Sequence, residues 1–544
     1  MDSLLVAGAF SAIVALYLAY RRSSRISLAD VPGPEPESFL LGNLRQIFQG
    51  QAGEADFKWQ EYYDSGAIRI KAPFGEDRLM VSDPKALQYI FQTNPRNFQQ
   101  PPQDREILRT LLGPGIAWAD AHVHMRHRKV MTPAFGIKET KALLPIFRGC
   151  VERLSVKWKE LVTETSDQSI VLNVPKWLSR ATLDVIGEAA FDYNFGALEK
   201  TESELGRAYE NLMSDAFAAP TPLRIFIQGT MHLLPCRLIR YLLDNIPVSA
   251  LGRLRSSRGV IDKVAKELVD RKKVEMSMGG SGKDVMSLLV RANASENASS
   301  KLSDEEMFAQ MSTIMFAGHE STSTSLSWVF YELAKHPEVQ SRMRAEIREW
   351  ETTIRKRGDS EFSMTDYEGM GYTLAVIKEI LRLHPIGYHM VRQPRTDDVL
   401  PLSKTLLTIS GKLVNELPIP EGCKIIVSVA GYQRNMDVWG PNAHEFYPER
   451  WLKMGMPNEK NSSVGVVGNL MTFSAGLRSC MGWRIAMAEI QTFLIDFVSN
   501  FEFSLTDEAK RIRREACLVM VPMIEGEEEK GVQLPLRISL AARE

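Results

Sequence analysis

The sequence predicts a mainly α-helical fold with small β-sheets, preceded by a transmembrane helix. Three observations predict it. From Pro84 to about Lys356 the residue pattern is mostly helical, interrupted by proline-rich loops. Strand-like segments are short and lie before Pro84, near Lys424 to Ala430 and at the C-terminus, with no alternation of strand and helix. Leu4 to Tyr20 carries no charge and is followed at once by Arg21, Arg22 and Arg25.

Composition bounds the class. The chain has 544 residues, a length that alone suggests several domains. At 44% hydrophobic and 24% charged, its bulk is neither disordered nor low-complexity. A net charge of −1 gives no global field for nucleic acid, and no nucleic-acid partner is expected. The five cysteines are odd in number and widely spaced, with no C-x-x-C, so zinc ribbons and redox dithiols lack support. Few cysteines in a long chain suit a reducing compartment.

Taken in order, residues 1–25 read as a membrane anchor with a basic flank. About 17–20 apolar residues suffice to span a bilayer. Positive charge just after the span places the rest of the chain on the cytoplasmic side. A cleaved signal peptide is disfavoured, because no basic region precedes the span and no small-residue cleavage site follows. Residues 26–45 hold Val31-Pro32-Gly33-Pro34-Glu35-Pro36, whose alternating prolines make a stiff hinge. The remainder, 46–544, is the body. It begins with a hairpin, Ala67 to Ala72 and Arg78 to Ser82 flanking a Gly75-Glu76-Asp77 turn.

Ala218-Ala219-Pro220-Thr221-Pro222 breaks one helical region. Met278-Gly279-Gly280-Ser281-Gly282-Lys283 precedes another. The second fails as a phosphate loop, because Asp284 follows the lysine and Ser277 stands where the first glycine should be, so it reads as a linker. The sequons at Asn293, Asn297 and Asn461 read as chance matches in polar loops, out of reach of the glycosylation machinery under this topology.

The chemistry concentrates at Phe473-Ser474-Ala475-Gly476-Leu477-Arg478-Ser479-Cys480-Met481-Gly482. A helix, roughly Trp483 to Phe501, follows at once, so Cys480 lies at a helix N-terminus, where the backbone dipole favours a thiolate. Gly476 and Gly482 permit a tight turn and the close approach of a flat cofactor. Arg478 suits a cofactor carboxylate, and Phe473 suits a cover over the sulfur.

This segment resembles the haem loop of the cytochrome P450 family, Phe-x-x-Gly-x-Arg-x-Cys-x-Gly, and matches every fixed position from Phe473 to Gly482. The resemblance covers nearly the whole chain and implies one large haem domain in place of several. It implies haem b with Cys480 as the axial thiolate and sole protein ligand to the iron. Glu379-Ile380-Leu381-Arg382 and Phe446-Tyr447-Pro448-Glu449-Arg450-Trp451 resemble two further family segments, in which Glu379, Arg382 and Arg450 form a structural network.

A second long helix is predicted from Ser303 to Lys335, opened by a Ser303/Glu306 capping box. Its centre, Ala317-Gly318-His319-Glu320-Ser321-Thr322, resembles the family's oxygen-activation motif. Small Ala317 and Gly318 would let the helix pass close to the haem. Glu320, Ser321 and Thr322 would supply the acid and hydroxyls of proton delivery. The usual threonine is replaced by Ser321, which lacks the methyl that fixes a rotamer. The alternative is a helix whose hydroxyls bond back to its own carbonyls. His124 to Lys129 resembles the family's Trp-x-x-x-Arg helix, with Arg128 matching a propionate-binding arginine and His124 standing in place of Trp.

By this resemblance the protein is an NADPH- and O2-dependent monooxygenase of the endoplasmic reticulum membrane, its catalytic domain facing the cytoplasm. Its partners would be NADPH-haemoprotein reductase, with a small haem electron carrier as a second donor, and membrane lipid. The chain itself carries no flavin or nicotinamide motif. Pocket walls are expected in the Gln99 to Trp118 loop, Met213 to Leu234, His384 to Val391 and Leu518 to Met520, around a small apolar substrate. Fungal-type segments suggest a terpenoid or other specialised metabolite. The competing functions are a haem-thiolate isomerase or dehydratase needing no reductase, disfavoured by Glu320 and Ser321, and a haem-free membrane-tethered binding protein.

Overall fold

A computed structural model describes residues 26–199, 204–279, 282, 284–295, 297, 301–452 and 464–542. The segment Leu4 to Tyr20, Gly280, Ser281, Lys283 and Asn461 lie outside them. Among the described residues no helix is long and apolar enough to cross a membrane.

Six helices position the site: α1 (Pro102–Leu112), α2 (Ala121–Met131), α3 (Val174–Phe191), α4 (Asp304–Lys335), α5 (Gly371–Leu383) and α6 (Trp483–Asn500). The body is mainly helical, as expected, with four small sheets among the described residues. α4 starts where its capping box predicts: Ser303 Oγ accepts from Glu306 N, and the Glu306 carboxylate accepts from Ser303 N at 2.9 Å. The helix is buried along most of its length, because its polar residues are small enough to pack. Phe147, Trp158, Trp328, Phe330, Phe493 and Phe497 fill the main core between α4, α6 and the Ile137–Thr163 helix.

The largest sheet contains β1 (Ala67–Lys71), β2 (Asp77–Val81), β3 (Phe98–Gln99), β4 (His389–Pro394) and β5 (Ile425–Ser428), in the order β1-β2-β5-β4-β3. β1 and β2 form the predicted hairpin, with Ala67 opposite Val81. β5 runs parallel to β2 and antiparallel to β4, where Arg392 faces Ile425.

Three expectations are corrected. The Gln99 to Trp118 segment is mostly the helix α1, opened by Pro101 and Pro102 and closed by Gly113 at φ 83°. Asn293 lies in the Val285–Ser295 helix, not in a polar loop, and its side chain accepts from Leu302 N at 2.7 Å. The hinge is docked on the body from Leu28 onward: Leu28 and Val31 are buried, Arg69 N donates to Pro32 O, and Ser410 donates to Asp30.

Candidate active site

The central segment of α4 interrupts that helix's burial. Ala317 is exposed, and Gly318, Glu320 and Ser321 are partly so, in a helix otherwise buried along most of its length. Their exposure is to internal space. A cavity of about 800 Å³ is lined by Ala317, Gly318, Ser321 and Thr322 together with Phe473, Cys480 and Gly482 of the haem-loop segment. Two stretches far apart in sequence therefore share one chamber. α3 holds α4 in place here: Thr182 Oγ1 donates to His319 O at 3.1 Å, and Ser179 Oγ lies 3.0 Å from His319 Nε2. Gly318 packs so closely on Ile186 that an added Cβ would lie 2.5 Å from Ile186 Cδ1.

The Cys480 loop is set by backbone geometry. Cys480 N donates to Phe473 O at 2.8 Å, and Gly482 caps α6. Gly476 does not line the cavity. It sits at φ 59° with its α-carbon against the Phe91 carbonyl, which an added Cβ would approach to 1.8 Å. The Cys480 sulfur faces a chamber inside the body, so burial pushes its thiol up from the ordinary value, while the Gly482 N–H and Arg128 act in the opposite direction.

Cationic groups gather beside this loop. Arg128 Nη1 donates to Ser479 O at 2.8 Å, and Arg478 Nη2 to Asp120 Oδ1 at 2.6 Å and Ala119 O at 2.7 Å. Burial lowers both guanidinium pKa values and holds the His124 imidazole down to about 4. Sequence reasoning missed Arg392 on β4. It is buried over the Phe91 ring at 4.9 Å, donates to Val391 O, and is pulled down to about 10 by desolvation. A lone arginine among the largely uncharged residues of His389–Pro394 was its only signal. Buried positive charge in excess, facing an apolar chamber with a cysteine in its wall, fits a flat apolar ligand that carries carboxylates. Haem has both features.

The predicted acid and hydroxyls are not brought together. Ser321 and Thr322 line the main chamber, but Ser321 Oγ donates back to Ala317 O at 2.6 Å. Glu320 points to another cavity of about 220 Å³, whose rim carries Lys176, Arg180 and Lys530. One step along a helix turns about 100°, which separates the two faces. Burial pushes the Glu320 carboxyl up to about 7. A second acid, Glu489 on α6, was also missed. It lines the main chamber, is raised well above the carboxylate range by burial, and lies near the Thr322 hydroxyl. An acid within an apolar helical run was the available sign.

The Glu379, Arg382 and Arg450 side chains do meet. Glu379 accepts from Arg382 Nε and Nη2, from Tyr447 N at 2.9 Å, from Trp451 Nε1 at 2.9 Å and from Arg450 Nε at 3.4 Å. Arg382 also donates to Gln433 O, Ala443 O and Glu445 O. Gln433 Nε2 donates to Leu381 O, and its Oε1 accepts from Thr472 N, which ties α5 to the start of the Cys480 loop.

This chamber, with its thiol and its cations, defines a haem-thiolate protein. Comparison with known proteins agrees. The Cytochrome P450 family model matches residues 32–525. The chain is 32% identical to Cytochrome P450 monooxygenase 81 of Postia placenta, over 98% of this chain and 97% of that protein. It is 29% identical to Cytochrome P450 monooxygenase claQ of Ampulloclitocybe clavipes, over 93% and 92%, and 29% identical to claW of the same organism, over 99% and 97%. The chain belongs to the cytochrome P450 family. Haem held through a cysteine thiolate is its cofactor. When bound, haem supplies dioxygen activation, and a thiolate ligand donates electron density that favours O–O cleavage.

Proposed function

We propose that the protein is an NADPH-dependent monooxygenase that inserts one oxygen atom from O2 into a C–H bond of a largely apolar substrate, a terpenoid or other fungal specialised metabolite. The observation that carries this reading is the single chamber shared by Cys480 and the Ala317 to Thr322 segment. Cys480 ligates the iron, and Arg128, His124, Arg478 and Arg392 receive the carboxylates of the cofactor. Phe473 and Gly482 enclose the sulfur side, and Gly476 sets the loop's turn. Glu320 takes protons from the smaller cavity, and the Ser321 and Thr322 hydroxyls pass them into the larger one. Glu379, Arg382 and Arg450 hold the loop for cofactor insertion.

Electrons come from NADPH-haemoprotein reductase, with a small haem carrier as a second donor. Residues 1–25 anchor the protein in the endoplasmic reticulum membrane, 26–45 form a proline-rich connector packed on the body from Leu28 onward, and 46–544 form the catalytic domain on the cytoplasmic side. Membership of a family of monooxygenases supports this reading, as does an apolar chamber walled by Phe217, Ile386, Met390 and Leu518.

The test is the carbon monoxide difference spectrum of dithionite-reduced protein beside Cys480→Ser. The expected result is a red-shifted Soret band in the wild type and none in the variant. Folded protein with no haem signal would sink the reading. A band that survives in the variant would move the ligand elsewhere. Removal of NADPH or reductase should stop turnover; product formed without either would favour an isomerase.

A further inference from the structure

Charged groups that are paired and charged groups that are not stand side by side in the wall of the main chamber. Arg78 on β2 is satisfied: Nη2 donates to Glu76 Oε2 at 2.7 Å and to Gly229 O at 2.7 Å. Lys424, just before β5, is not. It is 6% exposed, lines the chamber, and has no hydrogen-bond or ion-pair partner for its ammonium among the described residues. Asp104, on α1, lines the same chamber and likewise lacks a side-chain partner among the described residues. Beside it, Gln100 has a buried Oε1 with no partner.

A buried charge without a partner is costly, and natural folds keep one where a ligand completes it. The two groups feel each other without bonding. Burial pushes the Asp104 carboxyl up to about 6 against the pull of Lys424, Arg78 and Arg392. Lys424 is lowered to about 8 by burial and by Arg78, with Glu76 and Asp104 opposing.

We propose that the substrate is an apolar molecule that already carries a hydroxyl group, and that Lys424 and Asp104 bind that hydroxyl between them. The inference rests on the monooxygenase reading and names its substrate class. A hydroxyl accepts from an ammonium and donates to a carboxylate, so it satisfies both groups with no change in net charge. A carboxylate would satisfy Lys424 and repel Asp104. An ether or ketone would leave Asp104 unpaired, and a hydrocarbon would leave both so. The substrate is then supplied by a reaction that introduces or unmasks a hydroxyl, and this enzyme adds a second oxygen function to the same skeleton.

The test uses the full-length haem-loaded protein and three probes of equal chain length: dodecane, 1-dodecanol and dodecanoic acid. Binding is read by titration of the Soret band and by calorimetry. The alcohol should bind at least about tenfold more tightly than the alkane. Lys424→Met and Asp104→Leu should each abolish that preference without weakening alkane binding, since each removes a charge that an alkane leaves unpaired. Asp104→Asn, a gentler change, should weaken the preference less. Equal affinity for alkane and alcohol in the wild type overturns the proposal. So does tighter binding of the acid that depends on Lys424 and not on Asp104. Loss of haem from Lys424→Met also overturns it, since the ammonium would then belong to the cofactor's carboxylates. A normal carbon monoxide band with no alcohol preference sinks only this inference; absence of the band sinks the monooxygenase reading.

Discussion

Glu379 and Arg382 form a bidentate ion pair in which neither side chain is exposed: Nε donates to Oε2 at 2.9 Å, and Nη2 to Oε1 at 2.8 Å. They stand one turn apart on α5, so the helix fixes their separation before any tertiary contact forms. Their remaining capacity is used by the segment from Gln433 to Trp451.

Removing either partner should unfold the region that carries the haem. Glu379→Ala leaves a buried guanidinium uncompensated, which costs about 3–5 kcal/mol. Arg382→Lys should not rescue, because one ammonium cannot reproduce a fork shared among a carboxylate and three carbonyls. Little or no carbon monoxide-binding pigment is expected from either variant, with a large drop in melting temperature for any soluble protein.

Gly476→Ala should damage the Cys480 loop without touching the chamber. The position has φ 59°, and the new methyl would collide with the Phe91 carbonyl. A left-handed non-glycine residue alone costs about 1–3 kcal/mol, and the clash adds to it. Reduced haem content at near-normal expression is the expected result, measured as pigment per mole of protein.

Burial should make the Glu320 carboxyl a source of pH-dependent instability. Its folded value of about 7 lies above the ordinary 4.5. Between those values the unfolded chain loses a proton that the folded protein keeps, so stability falls as pH rises to about 7 and then levels off. Glu320→Gln should therefore be more stable than the wild type at pH 8 and no more stable at pH 4, by denaturant titration. The same variant should lose turnover at both extremes if the carboxyl delivers protons.

Ser321 should separate electron consumption from product formation. Its hydroxyl donates to Ala317 O at 2.6 Å. Ser321→Ala should lower product per NADPH by about tenfold or more, at the low side of the ~10²–10⁴-fold that a proton-transfer group contributes to rate, while NADPH oxidation continues. Ser321→Thr restores a methyl that limits the rotamers and should raise the ratio above wild type. Equal ratios in all three proteins would remove the hydroxyl from the relay.

What was legible in the sequence is what adjacent residues encode. The Cys480 loop, the capping box at Ser303 and the β1–β2 hairpin each depend on spacing within about ten residues, and each appears where it was expected. Arg392, Glu489, Asp104 and Lys424 were not legible. Their meaning comes from elements hundreds of residues apart that close on one chamber, and an isolated charge in a strand or helix announces no partner. The acid of the oxygen-activation motif was found, but not its direction. Which way Glu320 faces depends on helix phase against α3, a tertiary quantity. The reading of residues 1–25 as an anchor lies outside the described residues.

α4 also acts as a partition. One face looks into the chamber that Cys480 lines, and the other into a smaller, charge-rimmed pocket. Under the proposed roles, organic matter and protons enter by separate doors on opposite sides of a wall one helix thick. The substrate side can then be recut during evolution, through α1, β5 or the loop near Leu518, without disturbing the supply of protons.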